Sequence, residues 1–192
     1  MTRIYLPRKK SLWTAVTAVL IALSWWLAGP QLPDTAERNQ PGLYSIKRFS
    51  DGDTIAIDMN GKTETVRFIG IDTPETHKPN TPVQCYGPAA AAYTKGIIGQ
   101  NRVRLESDPL STNRDRYDRL LRYVYLPDGT LVNEKLVRNG YAFYYPYFPF
   151  TKSNAFDAAQ RSAMAEHKGL WRNCQPTQTD RGGYVSNPQT AP

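Results

Sequence analysis

The chain has 192 residues and a formal net charge of +7, a length that admits one domain of ordinary size with appendages. Residues 1–30 carry Arg3, Arg8, Lys9 and Lys10 and no acid, so the remainder holds 20 basic against 17 acidic side chains, only +3. A polyanion partner therefore has to be argued from local placement and not from overall charge. The two cysteines, Cys85 and Cys174, lie too far apart for a zinc site, which needs clustered ligands. They read as two unrelated buried thiols or, in an exported domain, as a disulfide.

Residues 1–11 are basic. Leu12–Ala28 is a run of seventeen residues without a charge, which fits a short membrane span or a signal peptide over 12–29. Cleavage needs small residues at −3 and −1, and near Ala28-Gly29 the −3 position is bulky Trp26 or Leu27. Trp25 and Trp26 suit a membrane–water interface. The reading favours an uncleaved anchor, with secretion after cleavage as the alternative. Either way the positive-inside rule holds residues 1–11 in the cytoplasm and places the domain on the far side of the inner membrane. Residues 30–41 are polar and proline-bounded, a linker.

The folded domain is expected over 42–174. Gly42–Phe49 and Thr54–Met59 read as strands, the second with Ile55, Ile57 and Met59 alternating. Asn60-Gly61 is a hairpin turn, and Lys62–Ile71 is the return strand. A long loop follows over Asp72–Tyr86. Pro88 opens a helix that runs through Ala89–Ile98 and stops at Gly99. Val103–Glu106 and Leu120–Tyr125 are strands. Asn133–Asn139 is a helix ended by Gly140. Tyr141–Phe150 is aromatic and broken by prolines. Ser153 or Asn154 is expected to cap a last helix ending near His167. Residues 175–192 are polar and expected to be disordered. This order defines an α+β domain, and a twisted sheet of about five strands closes most economically as a small barrel, because closure removes edges.

Four charged pieces stand out: Ser50-Asp51-Gly52-Asp53-Thr54, Arg67, Asp72-Thr73-Pro74-Glu75 and Arg114–Arg119. Each alone is an ordinary turn or a solvated charge. Together they offer hard oxygen ligands, a further carboxylate and two or three guanidiniums. Asp53 and Asp72 suit Ca²⁺ or Mg²⁺ and not a soft metal. Arginines hold phosphate through paired N–H donors. The combination points to metal-assisted phosphodiester hydrolysis.

Asp-Gly-Asp-Thr, R-F-I-G-I-D-T-P-E, Q-C-Y-G-P-A-A, D-R-Y-D-R, V-N-E-K-L-V-R-N-G-Y-A and G-L-W, in this order, resemble the thermonuclease (staphylococcal nuclease) family over roughly residues 43–173. The resemblance implies a five-stranded OB-fold barrel with three helices. It implies that Asp53 and Asp72 ligate Ca²⁺ with the Thr73 carbonyl, that Glu75 positions or deprotonates the attacking water, and that Arg67 and Arg119 bind the scissile phosphate. It implies cleavage of DNA and RNA at the 5′ P–O bond to leave 3′-phosphates. Tyr117 matches a nucleotide-pocket tyrosine, and Tyr145 and Tyr147 a second pair that contacts the nucleotide. The cysteines match a pair found in exported relatives, which implies a Cys85–Cys174 bond clipping the C-terminus to the barrel. Asp118 stands where the family has glycine, so its carboxylate either pairs with Arg119 or faces solvent. A non-catalytic module that binds nucleic acid or another polyanion would have lost one of Asp53, Arg67, Asp72, Glu75 or Arg119, and all five are present. The expected partners are DNA or RNA and, through 12–29, a membrane; no protein partner is implied and the protein is expected to be monomeric.

Overall fold

The computed structural model describes residues 42–76 and 81–189. The basic segment 1–11, the expected anchor or signal at 12–29 and the linker lie outside the described residues. No helix among the described residues is long and apolar enough to cross a membrane. In chain order the elements are β1 (Ser45–Phe49), β2 (Thr54–Met59), β3 (Lys62–Phe68), β4 (Ile71–Asp72), α1 (Gly87–Ile98), β5 (Arg104–Glu106) and β6 (Leu120–Tyr125). There follow α2 (Val132–Arg138), β7 (Phe143–Tyr144), α3 (Ser153–Ala165), α4 (Leu170–Asn173), β8 (Thr177–Gln178) and β9 (Tyr184–Val185).

Five strands form a mixed sheet in the order β1-β2-β3-β6-β5. The pairs are antiparallel except β3 with β6, where Val66, Arg67 and Phe68 run parallel to Leu120, Leu121 and Arg122. The sheet closes on itself: Tyr44 N–H donates to the Val103 carbonyl at 2.8 Å and Val103 N–H returns to the Tyr44 carbonyl at 2.9 Å. A register irregularity between Ile46 and Arg48 adds the twist that closure needs. Ile55, Ile57, Val66, Phe68, Leu120 and Val124 fill the interior. Each fully buried side chain of this size contributes about 1.5–3 kcal/mol. Helix α1 turns Gly87, Ala90, Thr94 and Ile98 inward, a spacing of one residue per turn. Helix α3 does the same with Phe156, Ala159, Gln160 and Ala163.

Two buried polar side chains fasten loops to this barrel. Asn133 on α2 accepts from Val124 N–H at 2.9 Å and donates to the Ile69 carbonyl at 3.0 Å. Asp108 accepts from Tyr123 Oη at 2.6 Å, from Thr151 N–H at 2.7 Å and from Leu110 N–H at 2.8 Å. Burial opposes its charge, but the Thr151, Tyr123 and Leu110 donors outweigh it and hold the carboxyl below its ordinary range.

The structure departs from the sequence reading in four places. The return strand is not continuous to Ile71. It breaks at Gly70, whose φ is +74°, and the Phe150 ring packs so closely there that a Cβ would meet it at 2.5 Å; Ile71 and Asp72 then pair with Tyr144 and Phe143. Helix α3 is not capped by Ser153 or Asn154. Lys152 occupies the cap without a side-chain bond, and Ser153 Oγ instead shares a 2.7 Å hydrogen bond with the Tyr144 hydroxyl. A fourth helix, α4, is a single turn, too short for periodicity to reveal.

The fourth departure is the C-terminus, which is not disordered over 175–189. β8 and β9 form a hairpin, and the chain after it lies along residues 83–85. Cys85 N–H donates to Asn187 O at 2.8 Å, Ser186 Oγ to Cys85 O at 2.8 Å and Gln189 N–H to Val83 O at 2.8 Å. Tyr184 sits edge-on to Trp171 at 5.0 Å and stacked on Phe143 at 6.2 Å. Backbone pairing and one aromatic anchor order a segment whose composition alone reads as unfolded. Cys85 and Cys174 are joined by a disulfide across 89 residues. Closing a loop of that size removes about 4–5 kcal/mol of unfolded-chain entropy in the loop model. A chain ending at Pro176 keeps the disulfide and loses the hairpin. Its melting temperature is expected to fall by several degrees, with new proteolytic cuts near Val83–Cys85; an unchanged melting curve and cutting pattern would show that the hairpin contributes nothing.

Candidate active site

The site is built around Arg67, near the end of β3. Parallel pairing with Leu121 on β6 fixes its backbone, and its side chain is mostly buried. Nη1 donates to the Ile71 carbonyl at 2.8 Å and lies 3.0 Å from Asp53 Oδ2; Nη2 lies 2.6 Å from Asp72 Oδ1. Burial alone would lower the guanidinium pKa, but Asp53, Asp72 and Asp51 outweigh it and keep Arg67 charged. One side chain thus gathers the turn before β2 and the exit of β4.

Asp53 is 4% exposed and has several further donors. Thr73 gives it N–H at 2.7 Å and Oγ1 at 3.0 Å, and Thr54 Oγ1 donates at 3.1 Å. Thr94 on α1 holds the Gly52 carbonyl at 2.6 Å, which locks the turn before β2 against the helix. Asp51 Oδ1 accepts from Asp53 N–H at 3.2 Å. Burial, then the charge of Asp53, pushes the Asp51 carboxyl up to about 7, with Arg67 partly offsetting them.

This corner places Asp53 and Asp72 against one guanidinium, and burial together with the Asp53 charge keeps the neighbouring Asp51 carboxyl raised. The donor set fits a hard divalent cation: carboxylate and carbonyl oxygens, no sulfur. Among the described residues no three His, Cys, Asp or Glu side chains converge as a ready ligand cluster. An ion here would be held by the set that the family resemblance implies, Asp53, Asp72 and the Thr73 carbonyl, with water.

Glu75 follows on the same loop. Its N–H donates to Gln84 Oε1 at 2.8 Å and its carbonyl accepts from Gln84 N–H at 2.9 Å. Gln84 in turn bridges to Pro188, so the C-terminal segment backs the loop that carries Glu75. Sequence reading missed this support; Gln84 lies inside a recognised motif but carries no charge to single it out.

Arg119 is fastened to Asp115, not to Asp118. Nε donates to Asp115 Oδ2 at 2.7 Å, Nη2 lies 2.6 Å from the same oxygen, and Arg119 N–H donates to Asp115 Oδ1 at 3.0 Å. Asp118 has φ +62°; it takes the left-handed turn that glycine would take, a conformation Asp tolerates better than most residues. Its carboxylate is 87% exposed and lies 3.6 Å from Arg114 Nε. Asp115 was the residue to find. Its signal was the four-residue spacing to Arg119 across a tight turn.

A cleft of about 840 Å³ opens beside this corner, with Arg67, Arg119, Tyr117 and Tyr145 in its walls. The Tyr117 ring lies 4.7 Å from the Arg116 guanidinium and 5.4 Å from that of Arg119. Tyr145 is anchored by its N–H to the Gly70 carbonyl at 2.9 Å. Burial, then the Asp72 charge, raises its phenol pKa. Tyr147 does not share the walls of this cleft. Its hydroxyl is hydrogen-bonded to Thr179, and its ring occupies the space a side chain at Gly183 would need.

Asp53, Asp72 and Glu75 do not line this cleft; a closed barrel that presents two guanidiniums and aromatic rings at one cleft, with Asp53 and Asp72 paired to one of those guanidiniums beside it, suits a nuclease-type phosphodiester site. A sequence model of the family described as "Staphylococcal nuclease homologue" matches residues 65–173. The thermonuclease of Staphylococcus hyicus is 44% identical over 164 residues, 82% of this chain and 94% of that one. The thermonuclease of Staphylococcus intermedius is 46% identical over 129 residues, 67% of this chain and 75% of that one. Endonuclease YncB of Bacillus subtilis (strain 168) is 39% identical over 154 residues, 78% and 68% of the two chains. The chain belongs to the staphylococcal nuclease family and is a nuclease.

The raised Asp51 carboxyl has a measurable consequence. A carboxyl raised in the folded state binds its proton more tightly there than in the unfolded chain, so it costs stability as pH rises from about 4 through 7. Asp51→Asn is therefore expected to raise the melting temperature of the metal-free protein at pH 8 and to change it little at pH 4. An equal effect at both pH values would show that Asp51 is not held protonated.

Proposed function

We propose that the protein is a Ca²⁺-dependent phosphodiesterase that hydrolyses DNA, RNA or both at the 5′ P–O bond, leaves 3′-phosphate ends, and acts outside the cytoplasm. The observation that carries this reading is the corner at which Arg67 holds Asp53 and Asp72 together. Asp53, Asp72 and the Thr73 carbonyl would hold Ca²⁺, which when bound supplies Lewis-acid polarisation of a phosphate oxygen. Arg67 exchanges carboxylate oxygens for phosphate oxygens without changing charge. Arg119, held in place by Asp115, donates to the same phosphate and stabilises the charge that grows on it. Glu75 orients or deprotonates the attacking water. Tyr117 and Tyr145 flank the nucleotide, and Tyr147 supports Tyr145 from behind at 4.6 Å between ring centroids.

The location rests on two supports. Residues 1–11 are basic and Leu12–Ala28 is apolar, the pattern of a single-pass inner-membrane anchor with the domain on the periplasmic side. Secretion after cleavage is the alternative. The Cys85–Cys174 disulfide belongs to an oxidising compartment.

A non-catalytic nucleic-acid-binding module is the competing reading. It draws on the pairing of Arg67 with two carboxylates, which occupies the guanidinium. One assay separates the two: the protein is incubated with single-stranded DNA in Ca²⁺ or in EDTA, and product ends are read by mass spectrometry. Cleavage in Ca²⁺ only, with 3′-phosphate ends, is expected. Cleavage that persists in EDTA would contradict the metal assignment, and binding without cleavage would establish the module. Glu75→Ala and Arg119→Ala are each expected to lose activity by about 10²–10³-fold with the fold intact. A variant near full activity would remove that residue from the mechanism.

A further inference from the structure

Large apolar side chains are left exposed at only a few points on the described surface. Of the six, three line the cleft beside Arg67 and Arg119: Leu110, Tyr117 and Phe148. Phe148 is the most open of all at 67%, and Leu110 is 57% exposed. Neither is among the residues that the family resemblance assigns.

Both are held on firm supports. The buried Asp108 carboxylate takes Leu110 N–H at 2.8 Å and Thr151 N–H at 2.7 Å, so it ties the loop on one side of the cleft to the chain just after Phe150. Ser111 Oγ adds a second tie, donating to the Pro149 carbonyl at 3.3 Å. Phe148 lies 6.0 Å from the Tyr145 ring, and Tyr145 rests on Tyr147, itself bonded to Thr179. A ring kept in water on a braced loop is available as a stacking surface. The guanidiniums of Arg114, Arg116 and Arg119 share the cleft, so the charge suits a phosphate backbone running past it.

We propose that Phe148 and Leu110 form a stacking shelf for an unpaired nucleobase, next along the strand from the nucleotide flanked by Tyr117 and Tyr145. This rests on the nuclease reading above and extends it from one nucleotide to a strand. The occupant is a single-stranded segment of DNA or RNA, because a base inside a duplex already has both faces covered by its stacked neighbours. Aromatic stacking accepts any base, so the shelf sets a preference for strandedness and length and not for sequence.

The test compares Phe148→Ala with the parent protein on thymidine dinucleotide and on an unpaired thymidine octanucleotide, by cleavage in Ca²⁺ and by equilibrium binding in EDTA. For the octanucleotide, KM and dissociation constant are expected to rise by about tenfold with kcat unchanged. For the dinucleotide neither constant should change. Phe148→Trp is expected to restore octanucleotide affinity, and Leu110→Ala to weaken it in the same length-dependent way. An equal loss on both lengths would show that Phe148 only supports Tyr145 and would overturn the shelf. No loss on either length would overturn it as well. If the parent protein binds both oligonucleotides but cleaves neither, the nuclease reading fails separately, and the length dependence of binding in EDTA still decides the shelf.

Discussion

Arg67 is the point at which barrel and chemistry meet. Its backbone belongs to the parallel β3–β6 pair, while its guanidinium binds the Ile71 carbonyl and the carboxylates of Asp53 and Asp72. Without that positive charge, Asp51, Asp53 and Asp72 would repel one another at a partly buried corner. The turn before β2 and the exit of β4 would then lack their common partner. The same charge that stabilises the corner is suited to a phosphate. A hard divalent cation held by Asp53 and Asp72 would offset their charge. In the proposed reaction the guanidinium that pairs these carboxylates would also bind phosphate.

Several uncharged or buried contacts carry this arrangement outward. Thr94 reaches from α1 to the Gly52 carbonyl and sets the Asp51–Asp53 turn. Asn133 joins α2 to β6 and to the turn at Ile69. Asp108 joins β6 to the aromatic loop through Tyr123 and Thr151. Each fixes a site-bearing loop to a helix or to the barrel wall. Charged groups whose geometry matters are thereby held by neighbours that take no part in the reaction.

The barrel was legible because its strands announce themselves. Ile55 and Ile57 alternate on β2, Asn60-Gly61 marks the hairpin, and β2 and β6 fall on the residues that pattern picks out. The charged residues were legible because clustered carboxylates and guanidiniums are rare beside apolar strands. What stayed hidden has physical reasons. The positive φ at Gly70 and the Phe150 ring packed against it, eighty residues later in the chain, leave no mark in the local pattern. Asp115 looked like one more acid in a mixed-charge run until the turn at Asp118 brought it onto Arg119. The hairpin at 175–189 lacks apolar periodicity, since its order comes from backbone bonds to 83–85 and from one wedged tyrosine. Tyr147 reads as a substrate contact in sequence; the same hairpin claims its hydroxyl.

That hairpin also imposes an order of events. The loop carrying Glu75 is backed by Gln84, and Gln84 by Pro188, so the support comes from residues far later in the chain than the strands of the barrel. A ribosome that has delivered the barrel has not yet delivered these residues. The nascent domain can form its sheet and align Arg67 with Asp53 and Asp72 while the Glu75 loop still lacks its backing. The Glu75 loop thus gains its backing later in synthesis than the barrel gains its strands.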